Sequence, residues 1–175
     1  MSVKNDFVVP IAVLLFICLF VSAALAVVNG ITKPVIEEGA RIRAEEAKKI
    51  ILPQADEFVL LEVEGLPRAV TEVHRAVNGT GYIFAVTVIG YGGEINILCG
   101  IDPEGRIIRA TVMSHTETVG LGTPIFEEPH SSQYWGRNLN GIEMIAAISG
   151  ATITSAAFKN AMRHALNAFE IVRKR

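Results

Sequence analysis

The chain has 175 residues and a formal net charge of −2, short for more than one folded domain and too nearly neutral to suggest a nucleic acid as partner. Hydrophobic residues make up 50% of it, and much of that excess lies in one uncharged run, Phe7 to Val28. There is no C-x-x-C pair, and His74, His115, His130 and His164 stand far apart in sequence, so no metal site is expected.

The first element is the run FVVPIAVLLFICLFVSAALAVV, whose 22 residues reach about 33 Å as a helix, against a hydrocarbon core of roughly 30 Å. Ala24-Leu25-Ala26 resembles a signal-peptidase site. The run is nevertheless longer than the roughly 7 to 15 residues of a signal peptide's apolar region, so residues 1–30 are read as a retained transmembrane anchor. Lys4 faces Lys33, Arg41 and Arg43 across it. Taken literally, that count puts the later domain inside the cell, but those residues share a helix with Glu37, Glu38, Glu45 and Glu46, and the rule decides nothing.

Residues 31–54 read as an amphipathic neck helix. Val35, Ile36, Ile42, Ala47, Ile50 and Ile51 recur among charges, with Pro34 as its start and Pro53 beyond its end. Residues 55–175 read as one domain. Strand patterns cover Phe58 to Val63, Ala69 to Val77, Tyr82 to Ile89, Ile95 to Ile101 and Arg106 to Met113. Asn78-Gly79 and Asp102-Pro103-Glu104-Gly105 are turn sequences, and such short links imply antiparallel pairing. A polar, glycine-containing stretch follows Ser114, and Ser155 to Val172 then carries Phe158, Met162, Ala165, Leu166, Phe169 and Val172 at helical spacing, with Ser155 as the expected N-cap. The predicted fold class is α+β. Cys18 lies in the anchor and Cys99 is the only other cysteine, so the domain has no internal disulfide.

Three motifs exceed what packing requires. In SGATITS, Ser149 to Ser155, the small residues Ser149, Gly150 and Ala151 allow a bulky ligand close to the backbone, and a helix start behind them favours a phosphate; a plain capped helix start explains the same residues. In SHTETVGLG, Ser114 to Gly122, Gly120 and Gly122 flank Leu121, an apolar side chain in an exposed segment that needs a partner such as a flat ring. A solvated loop is the alternative for His115 and Glu117. GYGGEI, Gly90 to Ile95, is the third motif, and a glycine-rich turn with Tyr91 as an edge aromatic explains it as well.

In the chain order GYGGEI, SHTETVGLG, SGATITS, behind a membrane helix and with Tyr134-Trp135-Gly136-Arg137 between SHTETVGLG and SGATITS, these motifs resemble the G subunit of the Rnf ferredoxin:NAD oxidoreductase complex, and more distantly the C subunit of the sodium-pumping NADH:quinone reductase. The resemblance extends over essentially the whole chain. It implies an electron-transfer subunit carrying FMN by a phosphoester to Thr152, with Ser149, Gly150 and Ala151 beside it and Glu117, Thr118, Gly120, Leu121 and Gly122 in the second cofactor-binding segment, Thr118 and Leu121 against the isoalloxazine. A flavin transferase would bind FAD with a metal ion; the Thr152 hydroxyl would attack the phosphorus next to riboflavin and AMP would leave, so no catalytic residue is expected in this chain. Two departures stand out. Ala146 occupies the position, six residues before the acceptor, where the family has an aspartate read by the transferase, and Val119 replaces a proline.

The resemblance further implies integral membrane and redox subunits as partners and a flavin domain on the extracytoplasmic side. The other reading is a noncatalytic anchored flavin sensor or assembly factor. The absence of a signalling or DNA-binding module in the sequence favours the relay.

Overall fold

A computed structural model describes the backbone of residues 3–174 and the side chains of residues 8–174. Residues 1 and 2 of the expected anchor, the side chains of Lys4 and Phe7, and Arg175 lie outside the described part. The chain divides into two units, one ending at Arg43 and one beginning at Ala44.

The first unit is helical. Helix α1 runs Val3–Ile51 and contains Pro10 and Pro34 in its interior. The expected helix start at Pro34 is therefore corrected: a proline removes one backbone donor, and here the apolar run before it and the charged run after it carry the helix across the gap. From Val8 onward α1 holds a stretch long and apolar enough to cross a membrane, none of it buried against the rest of the chain. Beyond the apolar run, Lys33–Glu37 and Arg41–Glu38 pair along the exposed surface, where solvent screens them.

The second unit is a five-stranded antiparallel meander, β1 (Phe58–Leu60), β2 (Val70–Ala76), β3 (Tyr82–Ile89), β4 (Glu94–Ile101) and β5 (Ile107–His115), paired in chain order. All five expected strands are present, within a few residues of their expected ends. Alternation along β3 and β4 sends Phe84, Val86, Val88, Ile95, Ile97, Cys99 and Ile101 to one face and Ile83 and Leu98 to the other. Helix α3 (Thr152–Arg173) covers the first face with Phe158, Met162, Ala165, Leu166 and Phe169. The last turns of α1 cover the second face with Ala47 and Ile51. Gly100 makes that second contact possible, since a Cβ there would lie 2.2 Å from Ile51 Cγ2.

Between β5 and α3 the chain forms two 3₁₀ turns, Thr123–Phe126 and Ser131–Tyr134, and a short helix, α2 (Leu139–Glu143), capped by the Asn138 side chain accepting from Gly141 N. Cys99 is fully buried, and burial pushes its thiol up to about 12.

Candidate functional site

The start of α3 sets the site. The sequence suggested Ser155 as N-cap, but the helix begins at Thr152 with Ala151 in the cap position and no side chain capping it. Ser155 is one turn inside and buried, where its Oγ accepts from Ile148 N–H at 3.1 Å and pins the preceding loop. The structural reason is that Ala151 C=O already accepts from Ser155 N–H at 2.8 Å, which closes the first helical turn earlier than the sequence suggested. By helix geometry the N–H groups of Thr152, Ile153 and Thr154 then have no acceptor in the helix ladder.

Glu117 joins this helix start to the other two motifs. It is 6% exposed, which removes the solvated-loop alternative. One carboxylate oxygen accepts the Thr154 hydroxyl at 2.7 Å and the other accepts Gly92 N–H at 3.0 Å. The carboxylate lies beside the first turn of α3, whose partial positive charge offsets its own. A second link runs alongside, from Thr116 Oγ1 to Gly92 C=O at 2.9 Å. GYGG, SHTETVGLG and SGATITS, separated in sequence, are thus laced together by hydrogen bonds.

The space they enclose is a pocket of about 340 Å³, within the roughly 300 to 1,000 Å³ common for small-molecule sites. Its walls are Tyr91 from the β3–β4 turn, Glu117, Thr118, Leu121 and Gly122 from the segment after β5, and Gly150 to Thr154 from the start of α3. Tyr91, Leu121 and Ile153 are 69%, 53% and 56% exposed, so three large apolar groups line the pocket without full cover among the described residues. Donors without acceptors at one end and uncovered apolar surface at the other fit a ligand with a phosphate and a flat apolar ring.

Of the residues singled out from sequence, Glu117, Thr118, Leu121, Gly122, Gly150, Ala151 and Thr152 line the pocket. Ser149 is exposed and outside the lining. Gly120 is outside it too: at φ 79° it makes the turn of the loop, and its N–H donates to Thr123 Oγ1 at 3.0 Å. Tyr134-Trp135-Gly136-Arg137 packs elsewhere. Tyr134 meets Phe158 edge-on and Arg109 lies 4.6 Å over the Trp135 ring, while Gly136 and Arg137 exchange backbone hydrogen bonds with Ile107. Burial, with the Glu143 charge adding to it, pushes the Tyr134 phenol up to about 12. Sequence reading left Tyr91, Ile153 and Thr154 out of the site. The glycines of GYGG were the available signal for Tyr91, since Gly90 and Gly92 have no room for a side chain against Glu117 and Thr116.

Comparison with known proteins identifies the family. Residues 90–167, which contain all three motifs, match the family model described as an FMN-binding domain. The G subunit of an ion-translocating oxidoreductase complex from Methanosarcina acetivorans is 30% identical over 95% of this chain and 96% of its own length. Its counterpart of the same description from Stutzerimonas stutzeri is 30% identical over 86% of this chain and 75% of its own. The G subunit of the proton-translocating ferredoxin:NAD(+) oxidoreductase complex of Clostridium ljungdahlii is 25% identical over 85% and 84%. The chain therefore belongs to the family of G subunits of ion-translocating oxidoreductase complexes, with an FMN-binding domain matched over residues 90–167.

Proposed function

We propose that this protein is a membrane-anchored electron-transfer subunit of an Rnf-type complex, that it carries FMN esterified through its phosphate to the Thr152 hydroxyl, and that its flavin domain faces the extracytoplasmic side. The observation that carries the reading is the convergence of the three motifs on one pocket in which Thr152 is the first residue of an uncapped helix. When bound, FMN supplies one- and two-electron redox chemistry. The Clostridium ljungdahlii relative, part of a proton-translocating ferredoxin:NAD(+) oxidoreductase, supplies the context of electron transfer coupled to ion translocation.

The chain's own residues bind and orient. Gly150 and Ala151 leave room at the backbone, and the free N–H groups at the start of α3 favour the phosphate. Leu121, Ile153 and Tyr91 offer apolar surface to the ring, and Glu117 fixes the three segments in register. In attachment by a flavin transferase, the Thr152 oxygen gains a bond to the flavin-side phosphorus of FAD and gives up its proton, while the bond to the bridging oxygen breaks and AMP departs. A tether suits a relay, because the carrier stays in place whatever its redox state.

The alternative, an anchored flavin sensor, predicts no stable association with other redox subunits. Mild detergent extraction followed by affinity isolation separates the two: the relay predicts co-isolation of other integral membrane subunits in fixed ratio, and isolation of this chain alone contradicts it.

A further inference from the structure

Thr152 borders a second cavity. Besides the pocket above, it lines a smaller groove of about 220 Å³ together with Glu143, Ala146, Ser155, Lys159 and Arg163. Thr152, Ser155, Lys159 and Arg163 recur at steps of three and four, so they form one stripe along α3. Lys159 follows Thr152 by two turns, about 10.5 Å along the axis, and the two line the same groove.

The groove is rich in donors. Lys159 Nζ donates to Ile145 C=O at 2.6 Å and to Glu143 C=O at 3.3 Å, both neutral acceptors, which leaves its third N–H uncommitted. The Glu143 carboxylate is engaged by Arg163, through Nε at 2.9 Å and Nη2 at 3.0 Å. Among the described residues no carboxylate answers the Lys159 charge. Ser155 Oγ accepts from Ile148 N–H and so keeps its own proton to donate, and Asn160 uses its oxygen on Arg163, which leaves its amide N–H groups open. One uncompensated ammonium with hydroxyl and amide donors around it suits a compact anion that only accepts hydrogen bonds.

We propose that this groove is an anion subsite that holds a phosphate group of the flavin nucleotide beside the Thr152 hydroxyl, with Lys159 as its positioning residue. The inference rests on Thr152 being the acceptor. It adds to the N–H groups at the start of α3 a second source of phosphate contacts: apolar side chains on the pocket side take the ring, and the donors of the groove side reach a phosphate at Thr152 from the other flank. That phosphate is either the donor's diphosphate during attachment or the tethered phosphoester afterwards.

The test uses the full chain in detergent with purified flavin transferase, FAD and Mg²⁺, following covalent loading by fluorescence of the denatured protein. Lys159→Gln keeps a donor for the two carbonyls but not the charge, and Lys159→Arg keeps both. Loading of Lys159→Gln is expected to slow by about tenfold or more while Lys159→Arg stays within about threefold, with unfolding midpoints unchanged. Phosphorus NMR of each fully loaded protein then separates the sources. A shifted resonance in Lys159→Gln places the tethered phosphoester on Lys159, and an unshifted one with slowed loading assigns the subsite to the donor. Equal loading rates and equal resonances in wild type and Lys159→Gln would overturn the subsite, as would slowed loading that tracks a lowered unfolding midpoint. A wild-type chain that never loads would instead overturn the acceptor reading on which the subsite depends.

Discussion

Glu117 accepts the Thr154 hydroxyl at 2.7 Å across 37 residues of sequence, and with its other oxygen it holds Gly92 N–H at 3.0 Å. One buried carboxylate therefore ties the β3–β4 turn, the loop after β5 and the first turn of α3. Glu117→Ala leaves the exposed Gly92 N–H to water and the buried Thr154 hydroxyl without its acceptor, the latter at about 1–3 kcal/mol for a buried group so stranded. Urea unfolding of the full chain in detergent should show that loss, and Thr154→Val a smaller one of about 1 kcal/mol. Unchanged stability in Glu117→Ala would mean that the three segments hold their register without it.

Close approach of glycines to this carboxylate gives a sharper expectation. A Cβ on Gly90 would lie 2.1 Å from Glu117 Oε1, and one on Gly122 2.6 Å from Oε2, whereas Gly150 has open space at its Cβ position. Gly90→Ala and Gly122→Ala should therefore each cost about 1–3 kcal/mol by displacing Glu117. The check is whether the double variant Gly90→Ala/Glu117→Ala is less destabilised than the sum of its parts. Strict additivity would place the clash elsewhere.

Most of the sheet was legible because β3 and β4 alternate cleanly and glycine-bearing turns punctuate them. Two boundaries were not. Pro34 looked like a helix start because proline favours the first turn, yet the apolar and charged runs on its two sides belong to one helix. Ser155 looked like a cap because serine favours that position, and its hydroxyl is used instead on a loop N–H seven residues back, a contact invisible until the loop is folded. The site was legible as three motifs. The tie between them was not, because nothing in the local sequence marks Glu117 as buried rather than solvated.

Sidedness is testable through a cysteine. Cys99 is fully buried with its thiol pushed up to about 12, so it stays protonated and unreactive toward thiol reagents at neutral pH while the domain is folded. The linkage has a sign as well: a raised folded pKa contributes stability that is complete below pH 9.0, the thiol's ordinary value, and is lost as pH climbs toward about 12. Glu104 is exposed in the β4–β5 turn. In intact cells Glu104→Cys should react with an impermeant thiol reagent, and labelling only after lysis would put the flavin domain on the cytoplasmic side.

Leu121 lines the pocket and stands 53% exposed, without full cover among the described residues. If the ring covers it, Leu121→Ala should leave covalent loading within about twofold of wild type and still shift the flavin absorbance or midpoint potential, because the apolar contact tunes the ring without forming the ester. An unaltered spectrum and potential would place the ring away from Leu121.

The most direct measurement is made on denatured protein. The chain is expressed with a flavin transferase, unfolded, run on a gel, and examined for flavin fluorescence and for a mass increase of FMN minus water, conditions under which any noncovalent flavin is lost. Wild type, Thr154→Ala and Ser149→Ala should fluoresce and carry the added mass, and Thr152→Ala, a small change at an exposed helix start, should stay folded and carry neither. A wild-type chain without the adduct, or a Thr152→Ala chain that keeps it, would contradict the assignment of Thr152 as the flavin acceptor.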